Sequence, residues 1–499
     1  MNGTARLSAA ALADLPAGWA RPAYNRNQPC GVVHLGTGAF HRAHHACYFD
    51  ALLAAGHDGW MIRGASLRSP TVARQMNPQD GLFTVLVCDG EDERAQVVGS
   101  VRDVLVAPDD PAVLVHALAD PAAALVTLTV TEKGYCLDPA TGALRTGDPA
   151  LAADIANLAA PQTAPGFLVA GLAARRAAGL APFTVLSCDN LPENGQRTRA
   201  AVIALAESVD PALAAWIASE VAFPSSMVDR IVPATTPGDV DNFASATGWC
   251  DEALVKTEPF TQWVVEDWFS GPRPPLDEVG VQFTRDVAGW EKAKLRLLNG
   301  AHSAIAYLGG LAGHLHVHQA MAAPGFGAFI EALWDEAEAT LDPVDGFDAA
   351  AYRAQLRARF ANGALMHRTH QIAMDGSQKL PQRWLQTILA TRSAGHPVPP
   401  ALTLALAGWM RWQSGRNEAG ALHIVDDPLA AQTAAALAQA LGNPAAEVRG
   451  LLAISAIFGA ELPTDDACVE HLIAAYRHIA ESSASAAVAA FARSRARSF

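Results

Sequence analysis

The chain has no CxxC pair. Its seven cysteines, Cys30, Cys47, Cys88, Cys136, Cys188, Cys250 and Cys468, are scattered and odd in number. This argues against a disulfide framework or a Cys-ligated zinc and for reduced thiols in a cytoplasm. No uninterrupted apolar run reaches membrane-spanning length, and Asp14 interrupts the only apolar stretch near the start, so neither a membrane span nor a signal peptide is expected. Charge is sparse at 17% and leans acidic, with formal net charge −14, which argues against nucleic acid or anionic membrane partners. An anionic small substrate would need locally placed cations. GxSxG is missing and no cysteine sits in a motif, which removes support for acyl-enzyme chemistry. His41 and His45 stand at i, i+4, yet no third ligand and no HExxH glutamate accompany them, so no metal is expected.

What is present is length and apolar content. At 499 residues with 51% hydrophobic composition, two domains with sizeable cores are the default. Residues 31–35 (GVVHL) read as a short buried strand, and Gly36-Thr37-Gly38 followed by residues 39–53 as a turn opening a helix. Strand, glycine turn and helix bring a pyrophosphate against free backbone N–H groups. The GxGxxG pattern is incomplete, because His41 stands where the third glycine would be. Candidate cofactor contacts are Gly36, Thr37, Gly38, Phe40, His41 and Arg42, with Thr131 further on. His41 and His44 either close the nucleotide site or pack beneath it.

A second strand is expected over 60–65. It is followed by Ser66-Leu67-Arg68, with no acid for the ribose hydroxyls, so Arg68 is able to meet a 2′-phosphate and the choice between NAD and NADP stays open. Further strands are expected at 81–87, 95–101, 124–130 and 183–188, alternating with helical stretches such as 112–119 and 167–179. That alternation predicts an α/β, Rossmann-like, doubly wound and mostly parallel sheet over residues 1–285. Two strands end in polar clusters, 129–135 and 187–195, where ligands of such sheets bind. Asn190 reads equally well as a turn or a site residue, and Asn194 as a turn. Asp229 next to Arg230 reads as either a site residue or an ion pair.

From 286 to 499 helices dominate, at 291–308, 325–340, 347–361, 381–393, 400–413, 428–441, 444–457 and 466–494, giving an all-α second domain. Its first helix carries Lys294, Asn299 and His302. On an α-helix Asn299 lies about 140° and His302 about 80° round from Lys294, so all three can look out of one side of an otherwise apolar segment. Dehydrogenation needs a nicotinamide, a proton donor or acceptor, and donors to hold the carbonyl oxygen. Lys294 suits the acid/base if partial desolvation lowers its pKa, and Asn190 and Asn299 suit the oxygen.

Six segments, HLGTGAFHRAH (34–44), TVTEKGYC (129–136), SCDNLPENG (187–195), FPSSMVDRIVPAT (223–235), KLRLLNGAH (294–302) and HRTHQIAMDGSQKLPQR (367–383), resemble the mannitol dehydrogenase family of polyol and hexuronate dehydrogenases, over nearly the whole chain. The resemblance implies metal-independent, NAD(P)-dependent oxidoreduction. It also implies His302 as a substrate hydrogen-bonding residue, Glu132 and Glu291 as proton relays to Lys294, and Asp229 and Lys379 as residues lining the substrate. A monomer or weak homo-oligomer is implied as well.

Arg368-Thr369-His370-Gln371, Lys133 and Gln378-Lys379 depart from the mannitol enzymes and look like the fructuronate reductase (D-mannonate oxidoreductase) branch; Gly363, where proline is expected, is a minor departure. A uronate carboxylate wants a fixed cation, and Arg368, Lys379 and Arg383 are the candidates by sequence. Arg383 in particular reads as a surface charge. His370 joins Arg368 in the expected substrate set. The leading expectation is reduction of D-fructuronate to D-mannonate. A neutral-polyol dehydrogenase is the near alternative, and a dinucleotide-binding sensor without turnover the alternative from another class.

Overall fold

A computed structural model describes residues 5–138 and 141–497. The chain divides into two compact units, Met1–Ala288 and Gly289–Phe499. The first is built on five parallel strands: β1 (Val32–Leu35), β2 (Ile62–Ser66), β3 (Val101–Val106), β4 (Leu125–Leu128) and β5 (Thr184–Ser187). Their order is β3-β2-β1-β4-β5. The direction of winding therefore reverses between β1 and β4, which in such sheets opens a crevice beyond the carboxyl ends of the strands.

β1 is buried at every position, because parallel strands are covered on both faces. Side chains alternate across the sheet. Val33 and Leu35 join Leu114, Leu118, Phe167 and Leu172 on one face, and Val32 joins Phe49, Leu52, Ile62 and Trp263 on the other.

The stretches expected at 81–87 and 95–101 do not enter this sheet, apart from Val101, which opens β3. Phe83–Asp89 and Asp92–Val98 form an antiparallel hairpin turning at Gly90 (φ +62°), with Val255–Thr257 parallel alongside Phe83–Asp89. Gly90 and Glu91 form the two-residue turn, and a glycine at positive φ in its first position is hairpin chemistry that the apolar pattern alone does not announce. A third small sheet sets Ser226–Asp229 antiparallel to Gln262–Glu266.

No strand is assigned in the second unit among the described residues. At its centre Gly300–Leu311 is buried at every residue except His302. Pro400–Trp412 lies against it: a Cβ on Gly310 would meet the Trp412 ring at 2.6 Å. Two expected helices change character. Lys294–Asn299 and Pro381–Leu385 are π-helical turns inserted in longer helices. The helix expected over 466–494 breaks into Asp466–Glu481 and Ala484–Ala496, where Ser482 leaves helical geometry and the Ser483 side chain accepts the N–H of Ala486 as a cap. Among the described residues no helix is long and apolar enough to cross a membrane.

Candidate active site

The first unit holds a cleft of about 570 Å3 at the ends of β1, β2 and β4, lined among others by Gly36, Thr37, Gly38, Arg68, Thr131, Lys133 and Arg145. Gly36 has φ +96°, and a Cβ there would lie 2.2 Å from the Thr129 carbonyl oxygen, so only glycine serves. Gly38 N–H donates to Gly36 O at 2.6 Å, and no side chain caps the short helix α1 (Ala39–Ala43) that follows. Thr37 Oγ1 is buried without a partner. The Arg68 and Lys133 side chains make no hydrogen bond or ion pair among the described residues, and the Arg145 guanidinium lies 3.8 Å from Asp148. An orphaned hydroxyl, a glycine turn and three cations fit a bound dinucleotide.

His41, at the place of the third glycine, does not line this cleft. It is wholly buried, and its ring stacks on that of His34 at 3.5 Å. His34 sits on β1, close to Thr127 Oγ1 (2.7 Å) and Thr129 Oγ1 (2.9 Å). His45, opening helix α2 (His45–Ala54), extends the group. Burial pushes His34 down to about 3 and holds His41 and His45 well below the usual histidine range, so all three are neutral. Helix and strand are thus joined by flat stacked rings, where a glycine would have allowed close backbone approach. Phe40 also lies outside the cleft lining, packed on His44 and His45. Arg42 works from beneath, donating to Thr37 O at 3.3 Å, and burial lowers its pKa to about 10.

Within the same unit the polar clusters are stitched together. Asp189 accepts the N–H groups of Val130 and Thr131, each at 3.0 Å. Asn194, read from the sequence as a turn residue, is buried: it donates to Asp189 O and Ser226 O and accepts from Ser226 N. It therefore ties the end of β5 to the strand that ends in Asp229, which is itself buried. Glu132 and Asn190 are exposed.

In the second unit the Lys294 segment corrects the angular argument. A π turn bonds i to i+5, as Gly300 N–H does to Leu295 O, so Asn299 comes round about one full turn from Lys294 instead of lying well off to one side. Lys294 is 8% exposed. Half-buried Glu291 precedes it on helix Val287–Ala293. Carbonyls of this region are served from outside the helix: Trp334 Nε1 donates to Leu297 O (2.9 Å), Arg383 to Asn299 O (3.3 Å) and Trp384 Nε1 to Gly300 O (3.1 Å). π turns recur at functional sites.

Arg383 is not a surface charge. It sits in the second π turn, also donates to Ser303 Oγ at 2.6 Å, and makes no ion pair among the described residues. Burial pulls its pKa down to about 10. His302 Nε2 is shielded from solvent and unpartnered. Its ring lies 5.2 Å from Phe360 and 4.6 Å from His367. Burial, with the charges of Arg359 and Arg383 nearby, keeps His302 neutral. Lys379 Nζ donates to Met374 O at 2.6 Å, and burial lowers its pKa. Arg368 and His370 are both exposed; His370 lies edge-on to Trp412 at 5.0 Å. Sequence reading missed His367 and Arg359. His367 opens a recognised motif, whereas nothing distinguished Arg359 from the other arginines of its helix.

A parallel sheet wound in this order, with a glycine turn and a cation-lined cleft at its switch point, defines a dinucleotide-binding oxidoreductase fold. The mannitol dehydrogenase Rossmann domain matches residues 30–278, and the mannitol dehydrogenase C-terminal domain residues 286–480. The chain is 42% identical to the D-mannonate oxidoreductase of Escherichia coli (strain K12), over 94% of this chain and 98% of that one. It is 43% identical to a mannitol 2-dehydrogenase of Cereibacter sphaeroides, over 82% and 86%. A solved ternary complex of Pseudomonas fluorescens mannitol 2-dehydrogenase with NAD and D-mannitol superposes with a TM-score of 0.81 at 36% identity, covering 98% of this chain and 99% of that one. The chain belongs to the mannitol dehydrogenase family, and it is an oxidoreductase.

Proposed function

We propose that this enzyme reduces D-fructuronate to D-mannonate, reversibly and with NADH. The observation that carries the reading is Arg383, a half-buried, largely desolvated guanidinium with no carboxylate partner among the described residues, beside neutral His302 and partly desolvated Lys379. A desolvated cation without a counter-charge is costly, so it calls for an anion, and a planar guanidinium matches a carboxylate with two parallel hydrogen bonds. A sugar acid supplies that anion; a neutral polyol does not.

When bound, the reduced dinucleotide supplies the hydride. The chain's own residues manage the proton and the charge. Lys294, on its wide helical turn, gives its proton to the carbonyl oxygen as that oxygen becomes an alkoxide. Asn190 and Asn299 donate side-chain N–H groups to the same oxygen. His302 presents its open Nε2 to a substrate hydroxyl. Glu132 and Glu291 return protons to Lys294, and Asp229 and Lys379 line the sugar. Gly36, Thr37, Gly38 and Thr131 cradle the cofactor; Arg68 also suits a 2′-phosphate.

Reduction rates measured side by side on fructuronate and fructose, with each reduced cofactor, test the reading. Faster turnover of fructuronate with NADH is expected. Faster turnover of fructose would reassign the enzyme to neutral polyols, the reading that its identity to mannitol 2-dehydrogenases favours.

A further inference from the structure

One carboxylate ties the ends of β4 and β5. Asp189 Oδ2 accepts the N–H of Val130, and Oδ1 that of Thr131, both at 3.0 Å. The Tyr135 hydroxyl donates to Oδ2 at 2.7 Å and lies 2.5 Å from Ser187 Oγ on β5. Held in this grip, Thr131 has φ +65° and ψ 163°. That region is open to glycine and costly for any L side chain, most of all a β-branched one. The carbonyl of Thr131 only closes the local turn, by accepting from Gly134 N–H at 2.9 Å. Thr131 lines the cofactor cleft and precedes Glu132, while Asp189 directly precedes Asn190. A strained residue at a ligand wall, pinned by a carboxylate next to a proposed catalytic amide, is pre-organisation.

We infer that Asp189 is a positioning residue: it holds Thr131 in a backbone conformation the chain would otherwise leave, and thereby fixes the cleft wall and Asn190 in mutual register. The inference rests on the dinucleotide reading of the cleft. Three donors converge on the carboxylate, two backbone N–H groups and one hydroxyl, so every hydrogen bond it makes here uses its accepting capacity. An amide of the same shape replaces one accepting oxygen with a donor, and one of the three donors then loses its partner.

The test is a double-mutant cycle between D189N and T131G, read by fluorescence titration of NADH and by kcat on the best substrate. In the parent background D189N is expected to weaken NADH binding and lower kcat, each by about tenfold to a hundredfold. Glycine takes φ +65° without strain and needs no grip, so in the T131G background the loss from D189N is expected to shrink to about threefold or less. Equal losses in the two backgrounds would overturn the inference. Thermal unfolding of T131G alone provides a check that does not depend on D189N folding. A strained threonine predicts an unchanged or raised melting temperature, and a clear fall would count against the strain. Failure of the parent enzyme to bind NADH would instead sink the dinucleotide reading and leave the cycle without a subject.

Discussion

Both units bury neutral imidazoles, and they do so to different ends. In the first, His34, His41 and His45 stack on one another between strand and helices, far below their usual pKa because burial disfavours the charge, with the neighbouring rings and, for His41, Arg42 adding to it. In the second, His302 lies among arginines, and Arg359 and Arg383 add to the effect of burial. The first group consists of packing elements that happen to be titratable. The second has Arg383 beside it, a guanidinium with no ion pair among the described residues, the condition of a site awaiting a ligand.

The sharpest way to break that contrast is Lys294→Ala. Turnover is expected to fall by about a thousandfold or more while NADH titrates as before, since a general acid contributes about 10^2–10^4-fold. Retained turnover would remove Lys294 from the acid/base role. Next in size, Arg383→Met is expected to cost about a hundredfold in kcat/KM on fructuronate and less than about tenfold on fructose. Similar losses on both sugars would make Arg383 a support for the π turn and not a substrate anchor.

The stacked histidines predict acid sensitivity. Their folded pKa values lie below the ordinary 6.5, so above that pH neither folded nor unfolded chain binds the proton and stability is unaffected. As pH falls below 6.5, and on towards the value near 3 of His34, the unfolded chain takes up protons that the folded one refuses, and stability is lost. At pH 5 each such imidazole costs about 2 kcal/mol. His45→Phe should therefore flatten the fall in urea-unfolding free energy between pH 6.5 and 5 by about that amount, after allowance for any constant offset. An unchanged slope would place protonation elsewhere. The smallest effect expected is from Ser483→Ala, which removes one helix cap in the second unit: about 1 kcal/mol in a thermal melt, with no change in kcat.

Much of this was legible from residue order. The glycine turn, the parallel sheet and the helical second half follow from apolar runs and breaker residues, and the motifs named the family. Other features were hidden for physical reasons. A π turn has the composition of an α-helix, so nothing in KLRLLN announces the wider bonding. Arg383 stands beside exposed Gln382, and only the fold shows that Ser303 and the Asn299 carbonyl enclose it. His41 looked like a cofactor contact because of its place in a motif, while its stacking partner His34 lies seven residues back on another element. Asn194 has turn chemistry and a buried clasp's job, and its partner Ser226 is distant in the chain.

The wide turn at Lys294–Asn299 makes this stretch respond unequally to loss and gain of a residue. Losing a single codon between 295 and 298 would tighten it to an ordinary helix in which the asparagine still comes round about one turn from the lysine, because the wide turn already holds one residue more than an α-helical turn. Substitutions there alter one side chain; an added residue, taken up as regular helix, would swing His302 and the buried core helix behind it by roughly 100° relative to the lysine.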